Sequence, residues 1–384
     1  MNVAKRIASL PAYVFAEASA TLAALQARGV DIINLGAGSP DLAPPDWIID
    51  TLHRAARDPT KHSYAGYYGL PILRRAVASY YQRRFGVEVD PEREVVILIG
   101  SKEGIFNIAL AFIDPGDLAL IPNPGYPAYS LGVTMAGGQV VPLPLRPEHG
   151  FVPDLASVPG DALRRAKLLW LNYPNNPTTA TASLDFLAQA VAMAREHNLL
   201  LCYDNPYCDV TFDGYVAPSI LQVPGAKDVA LEFNSLSKTY NMAGWRVGMA
   251  VGSARAVEAL GRVKTNIDSG IFVPIQEAAA AALQGDQSWL EERNAIYRAR
   301  RDVVLGFLPA AGMRAAKPLG TLYVWAQIPA GEDSAHFSQR ILERTGVWMT
   351  PGTAFGTLGE GHVRIALTLP ESRLREAGER LQGL

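Results

Sequence analysis

Residues 167–207 read KLLWLNYPNNPTTATASLDFLAQAVAMAREHNLLLCYDNPY. Lys167–Asn172 is a short apolar run of strand character, and Leu199–Tyr203 is another. Between them, Leu184–His197 carries apolar residues at 184, 187, 191 and 194, the spacing of one helical face. Strand, helix and strand in this order form the unit from which parallel sheets are built. The alternation extends outward in both directions. Upstream, Val95–Ile99 reads as a strand leading into the helix Ser101–Ile113, with Leu118–Ile121 and Val140–Leu145 as further strands. Downstream, Val229–Phe233 and Val247–Val251 bring the set to seven. The expected fold is α/β: a mostly parallel seven-stranded sheet flanked by helices on both faces. Ligands on such sheets collect in the loops beyond the carboxyl ends of the strands.

Past residue 280 the pattern changes. Trp289–Leu308 is a long charged helix, Leu322–Ile328 a strand, Ser338–Thr345 a helix and Val363–Leu369 a strand, which suggests a smaller α+β unit. The expected division is an N-terminal segment, 1–44, that joins the small domain, a large domain over 45–280, and a small C-terminal domain over 281–384. A chain of 384 residues is long enough for more than one core.

Composition excludes several classes of protein. The formal net charge is -2, and the arginine pairs 83–84, 164–165 and 300–301 are short and separate, so the basic stripe of a nucleic-acid binder is missing. Six histidines and two cysteines, Cys202 and Cys208, show no metal-ligand spacing, and no structural metal is expected. Two buried, reduced thiols suit a cytoplasmic protein. No segment approaches the ~18 apolar residues of a membrane span, and the N-terminus has no long apolar leader core.

Four strand ends carry chemistry-bearing residues. Gly100-Ser101-Lys102-Glu103-Gly104 opens a helix after a strand, where free backbone N–H groups and a hydroxyl can seat a phosphate; a plain capped turn with Ser101 as its cap is the simpler reading of this motif alone. Asn172–Thr178 (NYPNNPT) holds two prolines that fix its backbone, so Asn175 and Asn176 can be aimed, although turns favour these residues anyway. Asp204 emerges from the run Leu199–Cys202 and needs a partner if buried; Tyr207 follows three residues on, past a proline. Ser235-Leu236-Ser237-Lys238 ends the next strand. No glycine lies between Gly225 and Gly244, so this is no phosphate-binding P-loop, and Gly36-Ala37-Gly38 lacks the context of a dinucleotide fingerprint. A lysine at a strand end in a crevice is a candidate for Schiff-base chemistry, with Arg246 as a phosphate partner. Each signal is weak alone. Together they supply what pyridoxal phosphate needs: an amine, an anion for the ring nitrogen, donors to the phenolic oxygen and a phosphate seat.

With these motifs in order, the chain resembles the class I/II, fold-type I, pyridoxal-phosphate-dependent aminotransferases. The resemblance spans INLGAGSPD, YAGYYGLPILRRAV, IGSKEGI, PNPGYPAY, NYPNNPT, YDNPY, SLSKTYNMAGWRVG and HVRIAL. SKEGI and LSKTYNMAGWR are most similar to LL-diaminopimelate aminotransferases and bacterial alanine–glutamate transaminases. The resemblance implies pyridoxal 5′-phosphate as cofactor, held as a Schiff base on Lys238, which also moves the proton. It implies that Asp204 faces the ring nitrogen, that Asn176 and Tyr207 donate to the phenolic oxygen, and that Tyr126 stacks on the ring. Ser101, Lys102, Ser235, Ser237 and Arg246 match the phosphate seat. Tyr64 matches a tyrosine that reaches the phosphate of a neighbouring subunit, which implies a homodimer with shared sites. Arg364 matches the arginine for the substrate α-carboxylate, with the backbone at Gly36 beside it; Tyr13 and Phe15 are candidates for substrate contact. Thr179 departs from the family pattern, which has glycine there, and puts the turn geometry in doubt.

The implied reaction is a transamination between an L-amino acid and a 2-oxo acid, with 2-oxoglutarate/glutamate as one pair and LL-diaminopimelate or alanine as the leading other substrate. It would run as two ping-pong half-reactions through pyridoxamine phosphate. The same cofactor contacts would also serve a C–S β-lyase. A regulator with an aminotransferase-like domain would need a DNA-binding segment, for which no room is expected ahead of Tyr13, and a purely structural protein would not need these strand ends.

Overall fold

The computed structural model describes residues 1–8, 10–11 and 13–382. In chain order the strands are β1 (Ile33–Asn34), β2 (Val95–Leu98), β3 (Leu118–Asn123), β4 (Gln139–Pro144), β5 (Ala166–Asn172) and β6 (Leu200–Asp204). They continue with β7 (Ala230–Ser235), β8 (Gly248–Gly252), β9 (Tyr323–Gln327), β10 (Val347–Trp348), β11 (Thr350–Pro351) and β12 (His362–Ala366). Seven of them form one sheet in the order β2-β8-β7-β6-β5-β3-β4. Six point the same way, and β8 alone runs antiparallel, to both of its neighbours β2 and β7.

Burial explains the sequence of each strand. All residues of β6, β7 and β8 are buried, as expected of strands with helices on both faces, and their sequences are continuous rather than alternating. β4 is an edge strand, with Gln139, Val140 and Pro142 exposed. Its two prolines, Pro142 and Pro144, are tolerated because an edge needs fewer ladder donors. β2, the opposite edge, is wholly buried, and the helix Pro71–Phe85 packs along it. In this sheet the strand boundaries differ from the sequence expectation by one or two residues, and outside it β12 ends at Ala366 rather than Leu369, because hydrogen bonding and not apolar composition sets a strand's ends.

The two faces of the sheet hold separate apolar clusters. One gathers Leu169, Leu171, Tyr203 and Met249 with Tyr80, Tyr81 and Leu187. The other gathers Leu168, Trp170, Cys202 and Phe233 with the helix Ser101–Phe112. Trp170 lies between Tyr129, with ring centroids 4.7 Å apart, and Phe233, at 5.4 Å. Such aromatic pairs add about 0.5–1.5 kcal/mol each beyond area burial. Cys202 and Cys208 are both free and buried.

A second assembly combines the two ends of the chain. β9, β11 and β12 form an antiparallel sheet, and β1 pairs parallel with β10. Ile33 and Leu35 share a core with Tyr297, Phe307, Val324, Phe337, Ile365 and Leu374. Here the helix expected from Ser338 begins at Ser334, because Asp333 accepts the N–H groups of Ala335 and His336 and caps it earlier. Asp41 accepts both terminal nitrogens of Arg300, at 2.7 and 2.9 Å, and so ties the loop after β1 to the long helix Ser288–Phe307. No helix among the described residues is long and apolar enough to cross a membrane.

Candidate active site

The carboxyl ends of β5, β6 and β7 lie side by side, with Asn172 in register with Asp204 and Asp204 with Phe233. Beyond them opens a cavity of ≈ 270 Å³. Asn176, Asp204 and Tyr207 line it from the loops after β5 and β6, and Ser235, Ser237 and Lys238 from the end of β7. Ser101, Lys102, Tyr126, Arg246, Arg364, Tyr13 and Phe15 complete the predicted residues on its wall.

Asp204 is fully enclosed. Tyr129 donates to its Oδ2 at 2.6 Å, while Oδ1 has no partner. Burial, opposed in part by the Tyr129 hydrogen bond, pushes the carboxyl up to about 7. A buried oxygen without a donor is costly, on the order of 1–3 kcal/mol, and Asp204 lines the cavity, where a ligand could supply one. Tyr129 was not among the residues expected from sequence. It sits in the helix Ala128–Ala136, three residues after Tyr126, and reads as plain core.

The Lys238 amine is equally enclosed. It donates to the carbonyl of Gly38 at 2.6 Å, and burial, with Arg364 and Arg246 adding to it against Tyr323, holds its pKa below the ordinary lysine value. A lowered pKa enlarges the unprotonated share of the amine at any given pH, and the unprotonated amine is the nucleophile. Arg293 fixes the backbone underneath. Its buried guanidinium donates to the carbonyls of Lys238 and Thr239 and to that of Asp209, clamping the lysine turn to the loop that carries Tyr207. In sequence Arg293 looks like one charge on an exposed helix.

The NYPNNPT turn is laced from within. Asn172 Oδ1 accepts the N–H of Asn176 at 2.8 Å, and Asn175 Oδ1 accepts from Thr178 N–H and hydroxyl at 2.9 and 2.7 Å. Asn175 is therefore a structural brace and does not line the cavity. Thr179, in the family's glycine position, adopts φ 62, so the turn keeps the left-handed conformation that glycine favours.

Arg364 is buried among the rings of Phe15, Tyr323 and Phe355, with its guanidinium carbon 5.4, 4.1 and 4.7 Å from their centroids. It donates to Asn176 Oδ1 and to the carbonyl of Gly36, each at 2.9 Å, and its Nε has no partner. Gly36 thus contributes through its carbonyl without lining the main cavity.

The helix Ser101–Phe112 starts at Gly100 with no side-chain cap. Arg246, at φ 58, brings its guanidinium beside this helix start, so that a Cβ on Gly100 would collide with it. Ser235 caps the lysine turn by accepting the N–H of Ser237 at 3.2 Å. Lys102 places its ammonium 4.1 Å from the Tyr13 ring centroid. Tyr64 stands apart: it is 89% exposed and lines no part of this cavity.

An enclosed amine, an unpaired carboxylate oxygen, a free helix N-terminus beside an arginine, and a second arginine for a carboxylate define a cofactor-dependent enzyme of amino-acid chemistry on an open α/β sheet. Residues 30–381 match the family model described as aminotransferase class I and II, and the chain belongs to that family. It is 52% identical over 380 residues to the LL-diaminopimelate aminotransferase of Desulforudis audaxviator, covering 99% of this chain and 97% of that one. It is 50% identical to the LL-diaminopimelate aminotransferase of Moorella thermoacetica, covering 100% and 98%. The substrate-bound structure of BacF from Bacillus subtilis superposes with a TM-score of 0.96 at 39% identity, covering 100% of this chain and 98% of that one. The protein is an aminotransferase of the pyridoxal-phosphate-dependent, fold-type I class.

Proposed function

We propose that this enzyme transfers an amino group between LL-diaminopimelate and 2-oxoglutarate, with alanine as the alternative donor. The names of the relatives that match it along its whole length at about half identity support LL-diaminopimelate as the amino donor, and 2-oxoglutarate is a 2-oxo acid consistent with that reaction. The observation that carries the reading of the site is the cavity in which Lys238, Asp204 and Arg364 converge.

The residues fit pyridoxal phosphate on two counts. Asp204 Oδ1 is a buried acceptor without a donor, suited to a protonated ring nitrogen. The uncapped N-terminus of the helix Ser101–Phe112, with Arg246 beside it, suits a phosphate. When bound, the cofactor supplies an aldehyde carbon and an electron-withdrawing ring.

Lys238 would hold the cofactor and, once displaced by substrate, carry the proton from the substrate Cα. Asp204 keeps the ring nitrogen protonated. Asn176, through Nδ2, and Tyr207, through its hydroxyl, donate to the phenolic oxygen. Tyr126 packs on the ring, and Ser101, Lys102, Ser235 and Ser237 join Arg246 around the phosphate. Arg364 grips the α-carboxylate with its planar fork, and Tyr13 and the Gly36 backbone border the substrate.

We further take the working unit to be a homodimer. Tyr64 is exposed, as are Tyr67, Ile72, Ile267 and Phe272, which suits a face covered by a second copy whose phosphate Tyr64 would reach. In this reading residues 1–44 work with the 281–384 unit and 45–280 hold the cofactor. Two buried free thiols fit a reducing, cytoplasmic setting.

The test is to incubate the purified protein with 2-oxoglutarate and a panel of amino donors and to measure glutamate. LL-Diaminopimelate should give the highest kcat/KM, with parallel double-reciprocal lines. Glutamate formed from every donor except diaminopimelate and alanine would refute the substrate assignment.

A further inference from the structure

Tyr323 belongs to no motif that stands out in the sequence, yet it occupies the centre of the cavity's polar contacts. It lies in β9, in register with Ala366, and is 2% exposed. Its hydroxyl is 3.0 Å from that of Tyr207, and its ring carries the Arg364 guanidinium carbon at 4.1 Å. A Cβ on Gly38 would collide with the same hydroxyl, so the glycine leaves the phenol its place. The charged and titratable groups that face it are Tyr207 after β6, Lys238 after β7, Arg364 on β12 and Tyr126 after β3.

Two facing hydroxyls share one hydrogen bond, and either can donate. Burial raises both phenols, and Tyr207 stays well above the ordinary tyrosine value. For Tyr323 the opposing pull of the Arg364 guanidinium against its ring, then of Lys238, lowers it. Tyr323 is thus the stronger acid of the pair. With an anionic oxygen before Tyr207, the stronger acid donates to the weaker, and Tyr207 is left free to donate onward through a polarised chain.

We propose that Tyr323 is a positioning residue: its hydroxyl donates to Tyr207 and so aims and strengthens the hydrogen bond that Tyr207 gives to the phenolic oxygen of the cofactor. The proposal rests on the assignment of Tyr207 made above.

The experiment is a pH titration of the visible absorbance of the holoenzyme, compared among the wild type, Tyr323→Phe, Tyr207→Phe and the double variant. A donor at the phenolic oxygen stabilises its charge and lowers the pH at which the bound chromophore loses its proton. Tyr323→Phe should raise that midpoint by about one pH unit, and Tyr207→Phe should raise it further. Because Tyr323 acts through Tyr207, the double variant should titrate like Tyr207→Phe alone. An unchanged midpoint in Tyr323→Phe, or additive shifts in the double variant, overturns the proposal. Phenylalanine keeps the ring under Arg364; if the variant still fails to fold, Gly38→Ala displaces the hydroxyl without removing it. There an upward shift is expected, and an unchanged midpoint overturns the proposal. A wild-type protein that gains no titrating absorbance from pyridoxal phosphate would instead refute the cofactor site itself.

Discussion

Arg364 donates through Nη1 to Asn176 Oδ1 at 2.9 Å, across 188 residues of sequence. That bond fixes which way the amide faces. With its oxygen held by the arginine, Asn176 turns its Nδ2 toward the cavity as a donor. The group suited to a substrate carboxylate and the group suited to the phenolic oxygen are therefore one mechanical unit.

Arg364→Lys keeps the charge and loses the fork. A lysine cannot hold Asn176, the Gly36 carbonyl and a carboxylate together, so kcat/KM should fall by about 10²–10³, with most of the loss in KM. Steady-state kinetics with glutamate as donor provide the check. A loss smaller than about tenfold would separate the arginine from carboxylate binding.

Asp204 predicts a pH-dependent stability of the cofactor-free protein. Its carboxyl titrates near 7 when folded against 3.8 for the free group. The folded state holds the proton longer than the unfolded one, so its advantage is complete below the lower value and is lost as pH rises through the upper one. Burial is total, and the shift corresponds to roughly 4 kcal/mol. Urea midpoints of the apoprotein should therefore fall between about pH 4 and pH 7. Asp204→Asn should reduce that fall, leaving the part owed to the buried Glu232, which is also pushed up to about 7, while abolishing turnover.

Thr179 holds a β-branched side chain at φ 62. A left-handed conformation costs such a residue about 1–3 kcal/mol, whereas glycine adopts it freely and gives back about 0.5–1 kcal/mol in backbone entropy. Thr179→Gly should raise the thermal midpoint with a net gain on the order of 1 kcal/mol. A lowered midpoint would mean that the packing of this 8%-exposed side chain outweighs its backbone cost.

Much of this arrangement is legible in the sequence, because parallel strands buried on both faces leave continuous apolar runs and their polar termini mark the site. Asn176, Asp204, Tyr207 and Lys238 all end such runs, and all line the cavity. Residues inside the runs escape. Tyr323 in TLYVWAQ and Tyr129 in PAYSLG have the composition of core, and only the fold brings them to Tyr207 and Asp204. Arg293 escapes for the opposite reason, since a charge on a long helix looks solvated until its carbonyl partners are known. The antiparallel course of β8 is equally hidden, because GMAVG is apolar whichever way it runs. Gly38 escapes as well: its part is a carbonyl for Lys238, and a backbone acceptor leaves no signature.

The central claim is that Lys238 is the amine that binds the cofactor. Borohydride reduction of the holoenzyme, followed by peptide mass analysis, tests it most directly. The account predicts the added pyridoxyl phosphate mass on the peptide that contains Lys238, and loss of both the label and turnover in Lys238→Ala. A label on any other lysine, or unreduced turnover in Lys238→Ala, would contradict it.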